Sequence, residues 1–166
     1  LTKTVIFARL PRSWFQFYSN RTRLNSRIHM PIHKATCRVI YGDTDNMGQA
    51  YYGNYFRWFE IGRTELFRSL GIAYASVESR GIFLPVAEAY CKYSVPARYD
   101  DLLMIETSLD TRLKGAIKFD YRIFSQDAKT LLAQGYTKHA CLNKAGKVVR
   151  PPTFIKEVIE KNIQKS

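Results

Sequence analysis

Two aspartates, Asp43 and Asp45, stand in the stretch Tyr41-Gly42-Asp43-Thr44-Asp45-Asn46-Met47-Gly48-Gln49-Ala50-Tyr51-Tyr52-Gly53-Asn54-Tyr55. The stretch joins an alternating strand pattern to an aromatic-rich helix pattern. A carboxylate facing a helix N-terminus meets unpaired N–H groups and the positive end of the helix dipole. Such a pair can attack an acyl group and stabilise the oxyanion that forms. The two glycines, Gly48 and Gly53, let backbone come close to a bound molecule.

The elements that must hold this loop are legible on both sides of it. His33, Ala35, Cys37, Val39 and Tyr41 alternate with Lys34, Thr36 and Arg38, the period of a half-buried strand over residues 33–41. After the loop, Tyr55, Trp58, Phe59, Gly62, Leu66 and Leu70 fall at spacings of three and four, which predicts a helix over 54–70. Glu60–Arg63 and Glu65–Arg68 can pair along it, and Gly71 is a natural C-terminal cap. Gly62 on the buried stripe admits a closely approaching backbone. Residues 72–84 read as a short helix or loop. Strands are expected over 86–97, 101–113, 115–126 and 130–143, with Asp- and Gly-bearing turns between them. Arg150-Pro151-Pro152 breaks the chain before a charged helix at 153–163. One strand, one long apolar helix, four consecutive antiparallel strands and a terminal helix make an α+β domain, its sheet curled around the helix.

Composition narrows the class. The 166 residues allow one domain with a proper core, and no apolar run approaches the ~18–20 residues of a membrane span. Eleven Tyr and ten Phe fit a sheet-rich core or an apolar groove. The net charge of +12 divides unevenly. Residues 1–29 hold Lys3, Arg9, Arg12, Arg21, Arg23 and Arg27 and no acid, so of the 26 basic residues 20 remain to face the 14 acids of the body. That moderate excess suits an anionic small molecule as readily as nucleic acid, and the body has no dense basic run. Residues 1–29 read as a leader outside the fold, either an organellar transit peptide or an extension upstream of a start at Met30. The aromatic segment Trp14–Tyr18 favours the second reading. The folded domain is expected over 30–166. Cys37, Cys91 and Cys141 lie far apart in strand-like segments and read as buried free thiols of a reducing compartment, the cytoplasm, or an organellar matrix if the leader is a transit peptide. No Cys/His spacing marks a metal site.

Tyr-Gly-Asp-Thr-Asp-x-x-Gly-x-x-Tyr-Tyr-x-Asn-Tyr from Tyr41 to Tyr55, followed by Arg57-Trp58-Phe59-Glu60, resembles the hotdog-fold thioesterases of the 4-hydroxybenzoyl-CoA thioesterase family, which includes the Tol–Pal-associated acyl-CoA thioesterases. The likeness covers roughly residues 32–152. It implies a hotdog fold, in which a five-stranded antiparallel sheet wraps one long central helix. It also implies a homodimer with a shared sheet, often paired into a homotetramer. The implied reaction is hydrolysis of an acyl-CoA thioester without metal or redox cofactor. The family's catalytic carboxylate falls on Asp45, and its oxyanion contact, a main-chain N–H, falls near Tyr52. Some relatives carry His at the Tyr52 position, so any imidazole role there is absent.

On that basis Asp45 serves as direct nucleophile or as general base for water. The N–H groups near Tyr52 and Gly53 polarise the carbonyl, an effect worth ~3–4 kcal/mol where one such donor is lost. Asp43 is expected to tie the loop through backbone N–H groups, and Asn54 to cap the helix. Tyr51, Tyr52 and Tyr55 are candidates for the acyl pocket, against the plainer reading of aromatics at these spacings as core, which is the reading for Tyr55 and Trp58. Alignment with the family assigns Arg112, Lys114 and Arg150 to the CoA phosphates, against the plainer reading of solvated surface charge. His139, among apolar neighbours, reads as a core or strand-face histidine. Glu88 could face the cavity of a dimer mate, although a surface strand position is the plainer reading. Two other functions compete. A non-catalytic acyl-CoA binding or sensing module would bind without releasing thiol. A hydratase or dehydratase needs an Asp/His pair, and no His follows Asp45 before His139. Nucleic-acid binding would rest on residues 1–29 alone.

Overall fold

A computed structural model describes residues 32–163, so the leader over 1–29 and Met30 lie outside the described residues. The chain runs β1 (Ile32–Arg38), α1 (Asn54–Ser69), α2 (Tyr74–Ser79), β2 (Val86–Tyr93), β3 (Leu102–Asp110), β4 (Ala116–Ser125), β5 (Leu131–Ala140) and α3 (Thr153–Ile163). The five strands form one antiparallel sheet ordered β1-β3-β4-β5-β2. This is the α+β hotdog arrangement implied by the motif.

Four consecutive strands do not form a simple meander. β2 pairs with β5, not with β3. The expected strand over 86–97 stops at Tyr93, where Leu132 O accepts from both Ser94 N and Val95 N and the ladder bends. Pro96, with no N–H, cannot extend the ladder. The chain then crosses the start of α1, where Ala97 N donates to Tyr55 Oη at 3.1 Å and Ala97 O accepts from Ala50 N at 2.8 Å. That crossing carries the chain from one edge of the sheet to β3 near the other.

Helix α1 forms where its periodicity places it. Tyr55, Trp58, Phe59, Gly62, Leu66 and Phe67 are buried, whereas Leu70 is only partly so. The helix ends in a Schellman turn: Gly71 has φ +74°, its N–H bonds Arg68 O at 2.9 Å, and Ile72 N bonds Phe67 O at 2.8 Å. Both i,i+3 ion pairs form, Glu60–Arg63 at 3.5 Å and Glu65–Arg68. Against α1 the sheet turns alternate residues inward: Leu103, Ile105, Thr107 and Leu109 from β3, Ile117, Phe119, Tyr121 and Ile123 from β4. The Phe59 and Tyr121 rings stack at 4.2 Å and 7°. Each large side chain so buried contributes about 1.5–3 kcal/mol.

One chain of polar groups runs through this apolar layer. His139 is fully buried, with Nδ1 2.8 Å from Leu84 O and Nε2 2.9 Å from Thr137 Oγ1. A carbonyl can only accept, so Nδ1 carries the proton and Nε2 accepts from the Thr137 hydroxyl. Tyr121 Oη completes the chain 2.8 Å from Thr137 Oγ1. A neutral imidazole is thereby built into the fold, and burial lowers its pKa from 6.5.

Two tests follow from this packing. A Cβ at Gly62 would collide with Thr107 Oγ1 and lie 2.8 Å from Ile105 Cγ2. Gly62→Ala gains about 1 kcal/mol of helix propensity but incurs about 1–3 kcal/mol of overpacking. We expect a net loss of stability in urea titration, and a gain would refute the tight helix–sheet approach. His139, depressed when folded, gives stability that is complete above the unfolded value of 6.5 and lost as pH falls through that value toward the folded one. The urea midpoints of wild type and His139→Gln should therefore converge on going from pH 7.5 to pH 5.5; a constant gap would mean His139 does not titrate with unfolding.

Candidate active site

Residues 39–53 are shaped by Asp43. It is 3% exposed within a short 3-10 turn (Tyr41–Asp43), its Oδ2 accepts from Ile40 N at 3.1 Å, and its Oδ1 pairs with the Arg57 guanidinium. Its carbonyl accepts from Tyr51 N and from Asn54 Nδ2, both at 2.8 Å. Asn54 therefore differs from the expected N-cap. It is the first helical residue, the cap position falls on Gly53, and its amide donates back to the loop. The amide reaches Asp43 because the loop folds over the helix start, a placement that local capping patterns do not contain.

From that anchor a tight excursion carries Asp45. Asp45 N bonds Gln49 O at 2.8 Å, Gly48 N bonds Asp45 O at 2.9 Å, and Thr44 bridges Ala50. Gly48 sits at φ +68°, a conformation that costs a side-chain-bearing residue dearly. Asp45 is half-buried, and its Oδ1 accepts from Met47 N at 2.8 Å and from Gln49 N at 3.4 Å. Among the described residues its Oδ2 makes no hydrogen bond.

The chain then re-enters α1 through two successive peptides whose carbonyls are tied back. Tyr51 O accepts from Asn54 N at 2.9 Å, and Tyr52 O accepts from Tyr93 Oη at 3.1 Å. The N–H groups of Tyr52 and Gly53 make no hydrogen bond among the described residues, as the first turn of a helix dictates. Asp45, Tyr52, Tyr55, Tyr93, Val95 and Pro96 border one open cavity of about 370 Å³. Carboxylate and helix start thus share a wall-to-wall space large enough for an acyl group. Tyr51 packs instead beside Gly53, where an added Cβ would lie 2.9 Å from its Cε1, and against the Tyr52 ring at 4.5 Å. Tyr55 and Trp58 are core, at 2% and 0% exposure. Tyr93, Val95 and Pro96 were not singled out from sequence, and only the β2–β5 pairing brings them here.

The three candidate cations lie elsewhere. Arg112 and Lys114 follow β3, and Gly115 rests against Val148 and Val149, which sets Arg150 in the same corner. Strand register puts Arg38, Leu102, Ser125 and Tyr93 at one end of the sheet and Asp110, Lys118, Ala140 and Val86 at the other. Asp45 belongs to the first end and the cations to the second, roughly 25 Å away at the usual rise per strand residue. Arg112 is occupied by Asp110, with Nε–Oδ1 2.9 Å and Nη2–Oδ2 2.6 Å. Those hydrogen bonds hold the Asp110 carboxyl below its ordinary range. Lys114 and Arg150 are exposed.

Other titratable groups fall away from the cavity. Glu88 pairs with Lys138 at 2.6 Å and with Tyr136 on the sheet face away from α1, and those contacts lower its pKa. His139 stands at the Val86 end, held by Leu84, so no Asp/His pair forms with Asp45. Among the described residues no cluster of His, Cys, Asp and Glu is placed to hold a metal, and no helix is long and apolar enough to cross a membrane. Cys37, Cys91 and Cys141 are free thiols, and burial pushes Cys91 and Cys141 up to about 11.

Similar proteins share this frame. The sequence profile of the thioesterase-like superfamily matches residues 39–160. The Acyl-CoA thioesterase YbgC of Haemophilus influenzae is 37% identical over 123 residues, 73% of this chain and 87% of that protein. The crystal structure of the hypothetical protein TT1821 from Thermus thermophilus superposes with a TM-score of 0.71 at 30% identity, covering 77% of this chain and 97% of that one. The DHNA-CoA thioesterase of Staphylococcus aureus gives 0.72 at 27% identity, covering 79% and 90%. The loop, the helix it feeds and the sheet around them are those of a hotdog fold, and the chain belongs to the thioesterase-like superfamily.

Proposed function

We propose that the protein is an acyl-CoA thioester hydrolase whose reacting carboxylate is Asp45. One observation carries the reading: Asp45 and Tyr52, the latter at the entry to α1 with its N–H unused among the described residues, border the same cavity. The thioester carbonyl carbon lies against the carboxylate and its oxygen against the helix-start N–H. Asp45 attacks the carbonyl carbon, or removes a proton from a water that does. The developing oxyanion is stabilised by an amide held in place before the reaction begins. Collapse expels the CoA thiolate, a good leaving group that needs no strong acid. By the direct route water then cleaves the acyl–Asp45 anhydride and restores the carboxylate.

The CoA phosphates are assigned to Lys114 and Arg150, with Arg112 beside them, supplied by a second copy. β2 is an edge strand exposed along most of its length, with Val86, Tyr90 and Tyr93 uncovered. Antiparallel pairing of two such edges across a two-fold axis sets the Val86 end of one copy beside the Tyr93 end of the other. The cations of one protomer then approach the Asp45 loop of its mate. The active unit is a homodimer, which can pair into a homotetramer, and its free thiols fit a reducing compartment such as the cytoplasm. The folded domain extends over 30–166 with residues 1–29 outside it.

The decisive experiment presents acetyl-, hexanoyl- and benzoyl-CoA and follows free thiol. Asp45→Asn should lower turnover by roughly 10²–10⁴-fold while melting like wild type; undiminished release would end the assignment. Saturable binding of these probes without thiol release by wild type would instead identify a binding module. Charge reversal at Lys114 and Arg150 should raise KM and leave kcat near wild type.

A further inference from the structure

The chain segments that meet at the Val86 end of the sheet carry cations and no acid. Residues 80–86, 111–115 and 141–150 hold Arg80, Arg112, Lys114, Lys144, Lys147 and Arg150, with neither Asp nor Glu among them. The segments are tied to one another. Phe83 and Leu142 exchange both main-chain bonds at 2.9 Å, Cys141 N bonds Gly115 O at 3.0 Å, and Val149 N bonds Cys141 O at 2.8 Å. Asn143 Oδ1 accepts from Ala145 N and from Lys147 N, both at 3.0 Å, which holds the tip bearing Lys144 and Lys147. Arg112 is taken by Asp110, and Arg80 lies over the Phe154 ring at 4.4 Å. Lys114, Lys144, Lys147 and Arg150 are exposed and make no ion pair among the described residues.

Between these cations runs an apolar row. Phe83 bridges to Leu142 and Leu142 to Val148, both antiparallel. Residues directly opposite one another in an antiparallel pair share a face, so the three side chains lie side by side. Cys141, next to Leu142, is fully buried, so by alternation the row points away from α1. Val148 is 66% exposed and Phe83 42%. Exposed Leu113 stands beside Lys114, and Val148 Cγ1 lies 2.9 Å from where a Cβ on Gly115 would be. Nucleic acid would match the charge and leave the row in water. A bilayer bearing anionic lipid matches both, because its phosphates meet cations while side chains between them reach the acyl boundary.

We propose that this end of the sheet is a docking surface for an anionic lipid bilayer, with Val148 and Phe83 entering the headgroup–acyl boundary and Lys144 and Lys147 meeting the lipid phosphates. Lys144 and Lys147 lie outside the CoA assignment, and the proposal is independent of the hydrolase reading.

The full chain is sedimented with vesicles of phosphatidylcholine alone, and of phosphatidylcholine with phosphatidylglycerol in about a two-to-one ratio. Wild type should pellet with the mixed vesicles, less so as salt rises, and stay in solution with the neutral ones. Lys144→Gln/Lys147→Gln should bind the mixed vesicles roughly thirtyfold more weakly. Val148→Ser should bind them roughly fivefold more weakly at every salt concentration, because it removes apolar contact and no charge. Both variants should melt like wild type. Absence of pelleting with the mixed vesicles overturns the proposal. So does binding that neither variant weakens, which would belong to another surface such as the cations of residues 1–29. A loss in the lysine variant with none in Val148→Ser, and full competition by a mixed-sequence DNA duplex, would mark a polyanion site and also overturn the bilayer. If wild type ignores vesicles while Val148→Ser changes the oligomeric state in light scattering, the row is an interface between copies and the proposal falls.

Discussion

The contact between Asp43 and Arg57 is the constraint around which the rest of the site is arranged. A carboxylate at 3% exposure is costly unless its charge is matched, and losing the partner of a buried ion costs about 3–5 kcal/mol. Arg57, half in solvent on the second turn of α1, supplies the match, and Ile40 N supplies a further hydrogen bond. Because the acid sits in the loop and the base on the helix, the pair fixes the distance between them. The Asp43 carbonyl repeats the same tie through Tyr51 N and Asn54 Nδ2. Among the groups this lashing leaves without a hydrogen bond among the described residues are one oxygen of Asp45 and the N–H of Tyr52.

Division of labour between the two aspartates follows from burial. Asp43 spends both carboxylate oxygens on structure, whereas Asp45 spends one, on the amides of Met47 and Gln49, and borders the cavity with the other unengaged. An acid that served as both clamp and reactant would have to break the loop to react. Two acids two residues apart, one buried against Arg57 and the other bordering the cavity, avoid that conflict.

The path of the chain from Tyr93 to Leu102 decides what surrounds Asp45. By crossing the helix start, it brings Val95, Pro96 and Ala97 over α1 and leaves β2 as an uncovered edge. The same topology sends Arg112, Lys114 and Arg150 to the opposite end of the sheet. On the proposed reading, a ligand with both an acyl end and a phosphate end spans more than one protomer offers, and the unpaired edge is the surface proposed for a second protomer.

How much of this was legible in the chain depends on the range of the interaction. Helix α1, its buried stripe, its Gly71 terminus and the alternation of β1, β3 and β4 could be read because each is written in neighbours three, four or two residues apart. The loop motif from Tyr41 to Tyr55 likewise carried the family and the distinction between Asp43 and Asp45. The early end of β2, its pairing with β5, the reversal of Asn54 from cap to donor and the arrival of Tyr93 at Tyr52 were not legible. Each joins residues from 11 to 53 positions apart through pairings that no local period encodes. The sequence by itself determined which groups exist and which faces they occupy. Only the tertiary structure decided which of them share a cavity, because that is set by where the sheet's edges fall and not by the alternation within any strand.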